Sequence, residues 1–216
     1  NIHGGSLNYT LSSKDYKHRL NVYSSIQNIG RESYYGARRD TNAYGKTKDF
    51  TVVGGAQYSY DFDNFLFMPS SLTAGVEYSY NKLNDLMLGY HREINQEVFV
   101  YSAYLQNEWK TGRFSFLLGG RLDKNSEIDD PIFSPRLNIR YNPISDLSLR
   151  ASYSEGFRAP QTYDEDLHVA AVGGEVTLIQ VAKDLKTERS RSYSASVDYY
   201  TTWGPVQINL LLEGFY

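Results

Sequence analysis

Apolar and polar residues alternate with period two along nearly the whole chain. In segment 50–62 the even positions hold Phe, Val, Gly, Ala, Tyr, Tyr and Phe, while the odd positions are mostly polar. The same alternation recurs in segments 71–83 and 113–124. Because successive side chains of a strand point to opposite faces, the pattern predicts strands with one apolar and one polar face. The fold class is therefore all-β.

Turn-forming residues divide the chain into ten predicted strands. We place these strands near residues 4–13, 17–35, 48–62, 71–83, 98–110, 113–124, 133–141, 146–157, 190–201 and 206–216. The short connections are 13–16, 111–112, 142–145 and 202–205, with 63–70 as a longer member of the same set. The long connections are 36–47, 84–97, 125–132 and 158–189. Short and long connections alternate strictly along the chain.

This sorting of connections by length separates two all-β architectures. Alternation alone also fits a soluble sandwich, whose sheets have one face on the core and one in water. A sandwich with Greek-key crossings has no reason to sort its loops by end. Outer-membrane barrels do, with short turns on one side and long loops on the other. The 20 tyrosines agree, because rings with an apolar body and a polar tip suit a membrane interface. We predict an antiparallel up-and-down transmembrane β-barrel.

Composition excludes several functional classes. The mean hydropathy of -0.51 is compatible with a barrel, since half of each strand faces a polar interior. The net charge of -3, with both signs interspersed, gives no basic stripe for nucleic acid. The four scattered histidines have no metal-ligand spacing, cysteine is absent, and no Gly-x-Ser-x-Gly nucleophile elbow occurs. We expect no enzyme activity, no cofactor and no metal site. The acidic clusters 129–130 and 164–166 lie in predicted outer loops, and we interpret them as solvated loop charge, with calcium binding through their oxygens as the alternative.

The parity of each predicted strand assigns its residues to a face. On the last two strands the expected lipid-facing residues are Tyr193, Ala195, Val197, Tyr199, Val206, Ile208, Leu210 and Leu212. The polar, lumen-facing positions carry both charges and include Glu77, Glu108, Arg121, Arg136, Arg140, Arg150 and Asp198. Charges at these positions cost little because the interior is wet or filled by a polar plug.

Three segments resemble the TonB-dependent outer-membrane receptors in content and in order. They are FSPRLNIRYNP at 133–143, LSLRASYSEGFRAP at 147–160, and DLKTE at 184–188 followed by Ser190, Ser192 and Tyr193. The second segment is the most specific. The third departs from the family pattern, because Ala182 and Lys183 replace an Asn-Pro pair and Thr187 replaces a second proline.

The resemblance implies a barrel of about 22 strands with a globular plug inside. Residues 1–216 would then be about ten strands of a single barrel domain. The family's N-terminal energy-coupling box, plug glycine motifs and terminal aromatic strand are not found, so we expect an internal or C-terminal half of a receptor. Its expected partners are outer-membrane lipid, its own plug, the remaining barrel strands, and TonB acting through the N-terminal part. Its expected location is the outer membrane of a Gram-negative bacterium.

The resemblance also implies active uptake of a scarce nutrient, with a ferric siderophore ahead of cobalamin and glycans; a passive porin is the alternative. Arginine with tyrosine suits an anionic, oxygen-rich ligand. The loop residues that we select as ligand contacts are Arg38, Arg39, Tyr44, Tyr90, His91, Arg92 and His168.

The second motif ends in Gly156, Phe157, Arg158, Ala159 and Pro160, which we expect to form the barrel mouth. Pro160 has no amide hydrogen, so it should end the strand ladder where the longest loop departs. Arg158 shares the parity of the lumen-facing Arg150. Within that longest loop, segment 169–182 is unusually apolar and is compatible with folding inward over a plug.

Overall fold

A computed structural model of the chain describes residues 1–34, 44–162, 170–172, 175–177, 181–182 and 184–216. Ten long strands form one antiparallel sheet in sequence order: β1 Ile2–Ser12, β2 His18–Tyr34, β3 Tyr44–Phe65, β4 Met68–Met87, β5 Arg92–Lys110, β6 Phe114–Asn125, β7 Ile132–Ile144, β8 Leu147–Arg158, β11 Glu188–Trp203 and β12 Val206–Phe215. A separate hairpin pairs β9 Ala170–Val172 with β10 Glu175–Thr177.

The predicted up-and-down meander is confirmed, since every strand of the large sheet pairs with its neighbours in the chain order of that sheet. Strands β1 and β12 each have one neighbour, so the described residues form an open sheet. No helix in the described part of the chain has both the length and the apolar composition needed to cross a bilayer.

The strands are not perpendicular to the row of short turns, but are tilted away from that perpendicular, which is the axis of a barrel. One row of paired residues runs from Ser12, the last residue of β1, across eight strand intervals to Ser192 of β11. Strand β11 continues for about 11 more residues to Trp203. At about 3.4 Å per residue and about 4.8 Å between strands, this displacement is a tilt of roughly 40°. Barrel strands are tilted by about 35–45°, so the register has the stagger of a barrel wall.

The outer face carries two groups of aromatic residues. At the short-turn end, Trp109 stacks on Phe65, Phe67 and Phe116 with ring centroids 5.4–6.4 Å apart. At the other end, Tyr101 packs on Tyr78 at 5.0 Å. Trp109, Phe116, Tyr78 and Tyr101 have the parity of the apolar side chains of their strands, and a register shift after Phe62 pairs Phe65 with Met68 on the same face. The aromatic groups therefore lie on the face that the sequence pattern marks as apolar.

The spacing between the two aromatic groups fits a membrane. Ten residues separate Phe50 from Tyr60 on β3 and Phe99 from Trp109 on β5. Ten residues of extended chain tilted by roughly 40° rise about 26 Å. The apolar band of an outer-membrane barrel is about 25 Å tall between its aromatic girdles.

Two segments predicted as loops are partly strand, which corrects the sequence prediction. Strand β4 continues to Met87, a single 3₁₀ turn covers Leu88–Tyr90, and β5 begins at Arg92, so 84–97 is a tall hairpin. Strand β3 begins at Tyr44, inside the predicted loop 36–47. These extensions lie beyond the outer aromatic group, where the outward positions are no longer consistently apolar and the apolar periodicity fades. The connection 63–70 is also shorter than predicted, because only Leu66 and Phe67 lie between β3 and β4.

The interior face contains tyrosine rings that lie over glycines of the next strand. Tyr23 of β2 covers Gly55 of β3, where a Cβ would come within 2.5 Å of the tyrosine oxygen. Tyr104 of β5 covers Gly75 of β4 even more closely, and its hydroxyl donates to Gln57 Oε1 at 2.8 Å. These glycines are required because any side chain would occupy the space of the ring.

Charged residues on the interior face of β4–β6 form a connected network. Arg121 donates to Glu77 Oε1 at 2.8 Å, to Asp123 Oδ1 at 2.8 Å and to Ser102 Oγ at 2.7 Å. The Tyr23 hydroxyl donates to the second oxygen of Glu77. Because each charge has an oppositely charged partner, the network holds the interior side chains of these strands in fixed positions.

Side chains also fix the short turn between β1 and β2. The Ser13 hydroxyl donates to the Asp15 carboxylate, and this bond together with the Lys17 amide lowers the pKa of Asp15. The Lys17 ammonium pairs with Asp63 at the end of β3, and that hydrogen bond raises the pKa of Lys17. The two neighbouring turns are thereby joined at the same end of the sheet.

Candidate functional site

The long-loop end of the interior face is the best packed part of the sheet. Of six buried hydrophobic residues in the described chain, five lie at this end: Leu83, Met87, Val98, Ile132 and Ala159. The Thr47 hydroxyl donates to Asp85 Oδ1 at 2.6 Å, and both residues are buried. Strands β3–β5 thus form a tall, ordered wall above the outer aromatic group.

A proline explains why β8 leaves its neighbour near this wall. The β7–β8 ladder ends at the pair Arg136 and Ser154, one step before Pro135. Proline has no amide hydrogen to donate to the ladder, so β8 separates from β7 above this point. A pocket of about 390 Å³ lies at the divergence, and Pro135, Ser154, Tyr23 and Arg121 are among the residues that line it.

Beyond the divergence, residues 159–162 form a crossing segment that reaches β5. Gln96 Nε2 donates to the Thr162 carbonyl oxygen at 3.0 Å, and the Thr162 amide donates to Gln96 Oε1 at 2.7 Å. One side-chain amide therefore satisfies both backbone groups of Thr162. Ala159, at the start of the crossing segment, is buried, with 6% of its surface exposed.

An open pocket of about 570 Å³ lies between the crossing segment and the long-loop end of β5. Its lining comes from one end of β5, from the β6–β7 connection and from the longest loop: His91, Arg92, Glu93, Ile94, Asn95, Gln96, Glu97, Glu127, Pro160, Thr162 and Val181. A pocket of this size is within the usual range for small-molecule sites. We take this mouth pocket as the candidate functional site.

The charges of the mouth pocket are mixed. Arg92 is buried, whereas His91 is exposed and adopts a left-handed backbone conformation with φ 49°. Glu127 of the β6–β7 connection adds a carboxylate to the lining, whereas the carboxylate of Glu97 points to the outer face, where it lies 3.9 Å from Lys82 and accepts the Tyr80 hydroxyl at 3.0 Å. No group of three or more potential metal ligands occurs in the described ranges. The arrangement can therefore bind a polar ligand through hydrogen bonds and ion pairs.

The structure brings together some of the residues selected from sequence and leaves others apart. His91 and Arg92, selected as loop residues, and Pro160, from the second motif, all line the mouth pocket. Tyr44 lies elsewhere, packed on Tyr34 with ring centroids 4.8 Å apart. Tyr90 lies in the 3₁₀ turn, and its side chain is outside the description.

Other selected residues fall outside the described parts of the chain. They are Arg38, Arg39, His168 and, within the apolar segment 169–182, residues 169, 173–174 and 178–180. The residues 156–160, predicted to form the barrel mouth, are described. Strand β8 ends at Arg158, which pairs with Glu188 of β11, and Gly156 pairs with Ser190. The strand therefore stops two residues before Pro160.

Sequence reasoning missed Gln96, Thr162 and Glu127. Gln96 lies in the predicted loop 84–97, although 92–98 retains the alternation Arg, Ile, Gln, Val on one parity and Glu, Asn, Glu on the other. This alternation is typical of a strand, but neither parity is continuously apolar. The Gln96–Thr162 contact joins positions 66 residues apart, so no local pattern could reveal it.

Comparison with known proteins agrees with this architecture. All of residues 1–216 match the family described as TonB dependent receptor-like, beta-barrel. No curated protein matches the chain. The chain is similar to the siderophore receptor PirA from Acinetobacter baumannii, with 19% identity and a TM-score of 0.72 over 99% of this chain and 34% of that one.

Two further solved structures have the same fold. One is the ferripyoverdine receptor of the outer membrane of Pseudomonas aeruginosa, with 13% identity and a TM-score of 0.67 over 99% of this chain and 32% of that one. The other is the FrpB iron transporter from Neisseria meningitidis, with 18% identity and a TM-score of 0.63 over 92% and 33%.

The chain thus spans about one third of the length of these structures. Identities this low establish a shared fold alone. The match to the family, in contrast, extends over every strand and all three motif segments. The chain belongs to the TonB-dependent receptor β-barrel family.

Proposed function

We propose that this chain forms part of the barrel wall and outer loops of a receptor that takes up a ferric siderophore across the outer membrane of a Gram-negative bacterium. The observation that carries the proposal is the mouth pocket, which is built at the long-loop end from β5 and the crossing segment. Its mixed polar lining suits a ligand rich in oxygen atoms. Solved structures with the same fold are named as siderophore receptors and an iron transporter.

The proposal includes partners outside this chain. Residues 1–216 would belong to one barrel domain of about 22 strands, which other strands of the same receptor complete. A plug would fill the lumen, TonB would act through the N-terminal part of the receptor, and lipid would cover the outer face. The role of this chain is then transport rather than catalysis.

Uptake by the intact receptor tests the proposal. Iron-starved cells expressing the receptor should accumulate radioactive iron from a panel of ferric catecholate and hydroxamate siderophores, and only when TonB is present. Expression of the receptor should rise under iron starvation and stay constant under cobalamin starvation. Uptake of cobalamin or maltodextrin instead would identify a different substrate. Passage of small solutes without TonB would indicate a porin and contradict the proposal.

Gln96→Ala should weaken binding of the transported siderophore to the intact receptor by about tenfold. The substitution removes both hydrogen bonds that hold Thr162. We expect the less ordered crossing segment to cost about 1.4 kcal/mol of binding free energy, which is a factor of ten in Kd. Quenching of intrinsic tryptophan fluorescence by the ferric siderophore would measure the Kd.

Gln106→Ala is the matched control for this prediction. Gln106 is the same residue type on the same strand and face, ten residues deeper than Gln96. Its replacement should leave the Kd within about twofold of the original value. Equal affinity in both variants would mean that the crossing segment does not position the ligand.

A further inference from the structure

The interior face is divided into two regions of opposite charge. On β3–β6 it presents more acidic than basic side chains: Asp49, Asp61, Glu77, Asp85, Glu108 and Asp123, against Arg92, Lys110 and Arg121. On β7 and β8 it presents only basic ones: Arg136, Arg140, Arg150 and Arg158. Any body that covers this face therefore meets an acidic region on β3–β6 and, directly beside it, a basic region on β7 and β8.

Two of these arginines are directly opposite each other. The register pairs Arg140 of β7 with Arg150 of β8. Like charges at directly opposed positions destabilise a sheet, so this pairing has a cost that the other interior charges avoid. In the Glu77–Arg121 network, by contrast, each charge contacts an opposite one.

Neutralisation of the arginine pair is incomplete within the described residues. Arg150 has one acidic neighbour, Asp198, at 3.8 Å, and Asp198 also accepts a hydrogen bond from Asn209 at 2.5 Å. No carboxylate in the described chain lies within 4.0 Å of Arg140. Its Nε is buried without a hydrogen-bond partner, and so is Ser148 Oγ, two residues before Arg150 on β8.

Unpaired buried donors and opposed like charges indicate a missing acceptor with negative charge. A carboxylate placed between Arg140 and Arg150 would accept from both guanidinium groups and remove their repulsion. The pair lies near the short-turn end, since Arg140 is four residues from the end of β7 at Ile144. Arg150 is ten residues from Pro160 of the mouth pocket, about 34 Å along an extended chain. A ligand in the mouth pocket therefore does not reach it.

We infer that Arg140 and Arg150 bind a carboxylate of the plug and thereby fix the orientation of the plug in the barrel. This inference rests on the proposed function, which supplies a plug. Both arginines lie on the face opposite the outer aromatic groups, which is the lumen side in a barrel, and the charge division favours a body with acidic groups towards β7–β8 and basic groups towards β3–β6. The plug is the occupant that the proposed receptor places there.

The direction in which a single substitution changes retention of the plug tests the inference. If the arginine pair is unoccupied, Arg140→Gln relieves repulsion and the plug is retained as well as before or better. If a plug carboxylate lies between the arginines, the same substitution removes a charged hydrogen bond and loosens the plug. The intact receptor in a planar lipid bilayer gives the readout, because urea that unfolds the plug opens the pore to ions.

Arg140→Gln should open the pore at a urea concentration about 1 M lower than the unsubstituted receptor. Arg150→Gln should act in the same direction and tests the contact from the next strand if Arg140→Gln does not assemble. Heat-modifiable mobility on a gel reports that each barrel is folded. Arg191→Gln is the control, because Arg191 pairs with Glu155 on the outer face, 3.4 Å away, and its loss should leave the opening concentration unchanged.

The outcomes separate this inference from the proposed function. An unsubstituted receptor that conducts without urea would have no plug, and the proposed function would fail. A closed receptor whose Arg140→Gln and Arg150→Gln variants open at the same or a higher urea concentration would retain the proposed function and overturn the arginine contact. Earlier opening in both variants, with Arg191→Gln unchanged, supports it.

Discussion

Leu210→Arg should destabilise the folded receptor in a lipid bilayer by about 2–4 kcal/mol, whereas Leu211→Arg should change its stability by less than about 1 kcal/mol. The two leucines are neighbours on β12 and are 60% and 59% exposed. Leu210 pairs with Tyr199 on the outer face, and Leu211 pairs with Asp198 on the interior face. An arginine at 210 enters hydrocarbon about halfway along the strand, while one at 211 faces the Asp198 carboxylate.

Unfolding in urea from lipid vesicles, followed by gel mobility, would measure both variants. Leu210→Gln is a useful companion, since it removes apolar surface without adding charge and should lie between the leucine and the arginine. Equal losses from Leu210→Arg and Leu211→Arg would contradict the assignment of two different solvents to the two faces. Because the two leucines are equally exposed, a difference in stability between the variants reports whether the exposed side chain meets lipid or water.

The parity of side chains explains why the sequence predicts so much of this fold. All ten long strands and their neighbours follow from the period-two pattern, because in a barrel wall each strand has an apolar and a polar face along its full membrane span. The faces of Tyr193 and Leu212, for example, follow directly from parity, and the register places them as expected.

The pattern fails where a strand leaves the membrane. In segment 82–87 the outward parity holds Lys, Asn and Leu, and the inward parity holds Leu, Asp and Met, so neither face is consistently apolar. Strand β4 nevertheless continues to Met87, because the ladder with β5 supplies backbone hydrogen bonds without requiring an apolar face. Hydrophobic periodicity therefore reports the solvent around a strand rather than the length of the strand.

The candidate site was predictable only in part, for a related reason. His91 and Pro160 were found as a loop residue and a motif residue, each from its own segment. Their meeting in one pocket depends on β8 separating from β7 at Pro135 and on Gln96 capturing Thr162. Both events join residues that are distant in sequence, and local alternation carries no information on such contacts.

Gly75→Ala should destabilise the barrel by about 3 kcal/mol, which is at the upper end of the usual cost of overpacking. A Cβ at this position would overlap the ring of Tyr104, so the ring must leave its place and lose its 2.8 Å hydrogen bond to Gln57. Gly54→Ala is the matched control from the neighbouring strand β3. The nearest atom to a Cβ at Gly54 is the Tyr23 carbonyl oxygen at 3.7 Å, an ordinary contact, so this change should cost less than about 1 kcal/mol.

A double-mutant cycle identifies the tyrosine as the cause. In a Tyr104→Ala background the ring is gone, so Gly75→Ala should then cost less than about 1 kcal/mol, and the coupling energy should be about 2 kcal/mol. Urea unfolding of the four proteins from lipid vesicles measures the cycle. If Gly75→Ala is equally costly with and without the Tyr104 ring, then the glycine is required by the backbone rather than by the ring. The interior polar network would in that case owe its geometry to strand curvature instead of to tyrosine rings seated on glycines.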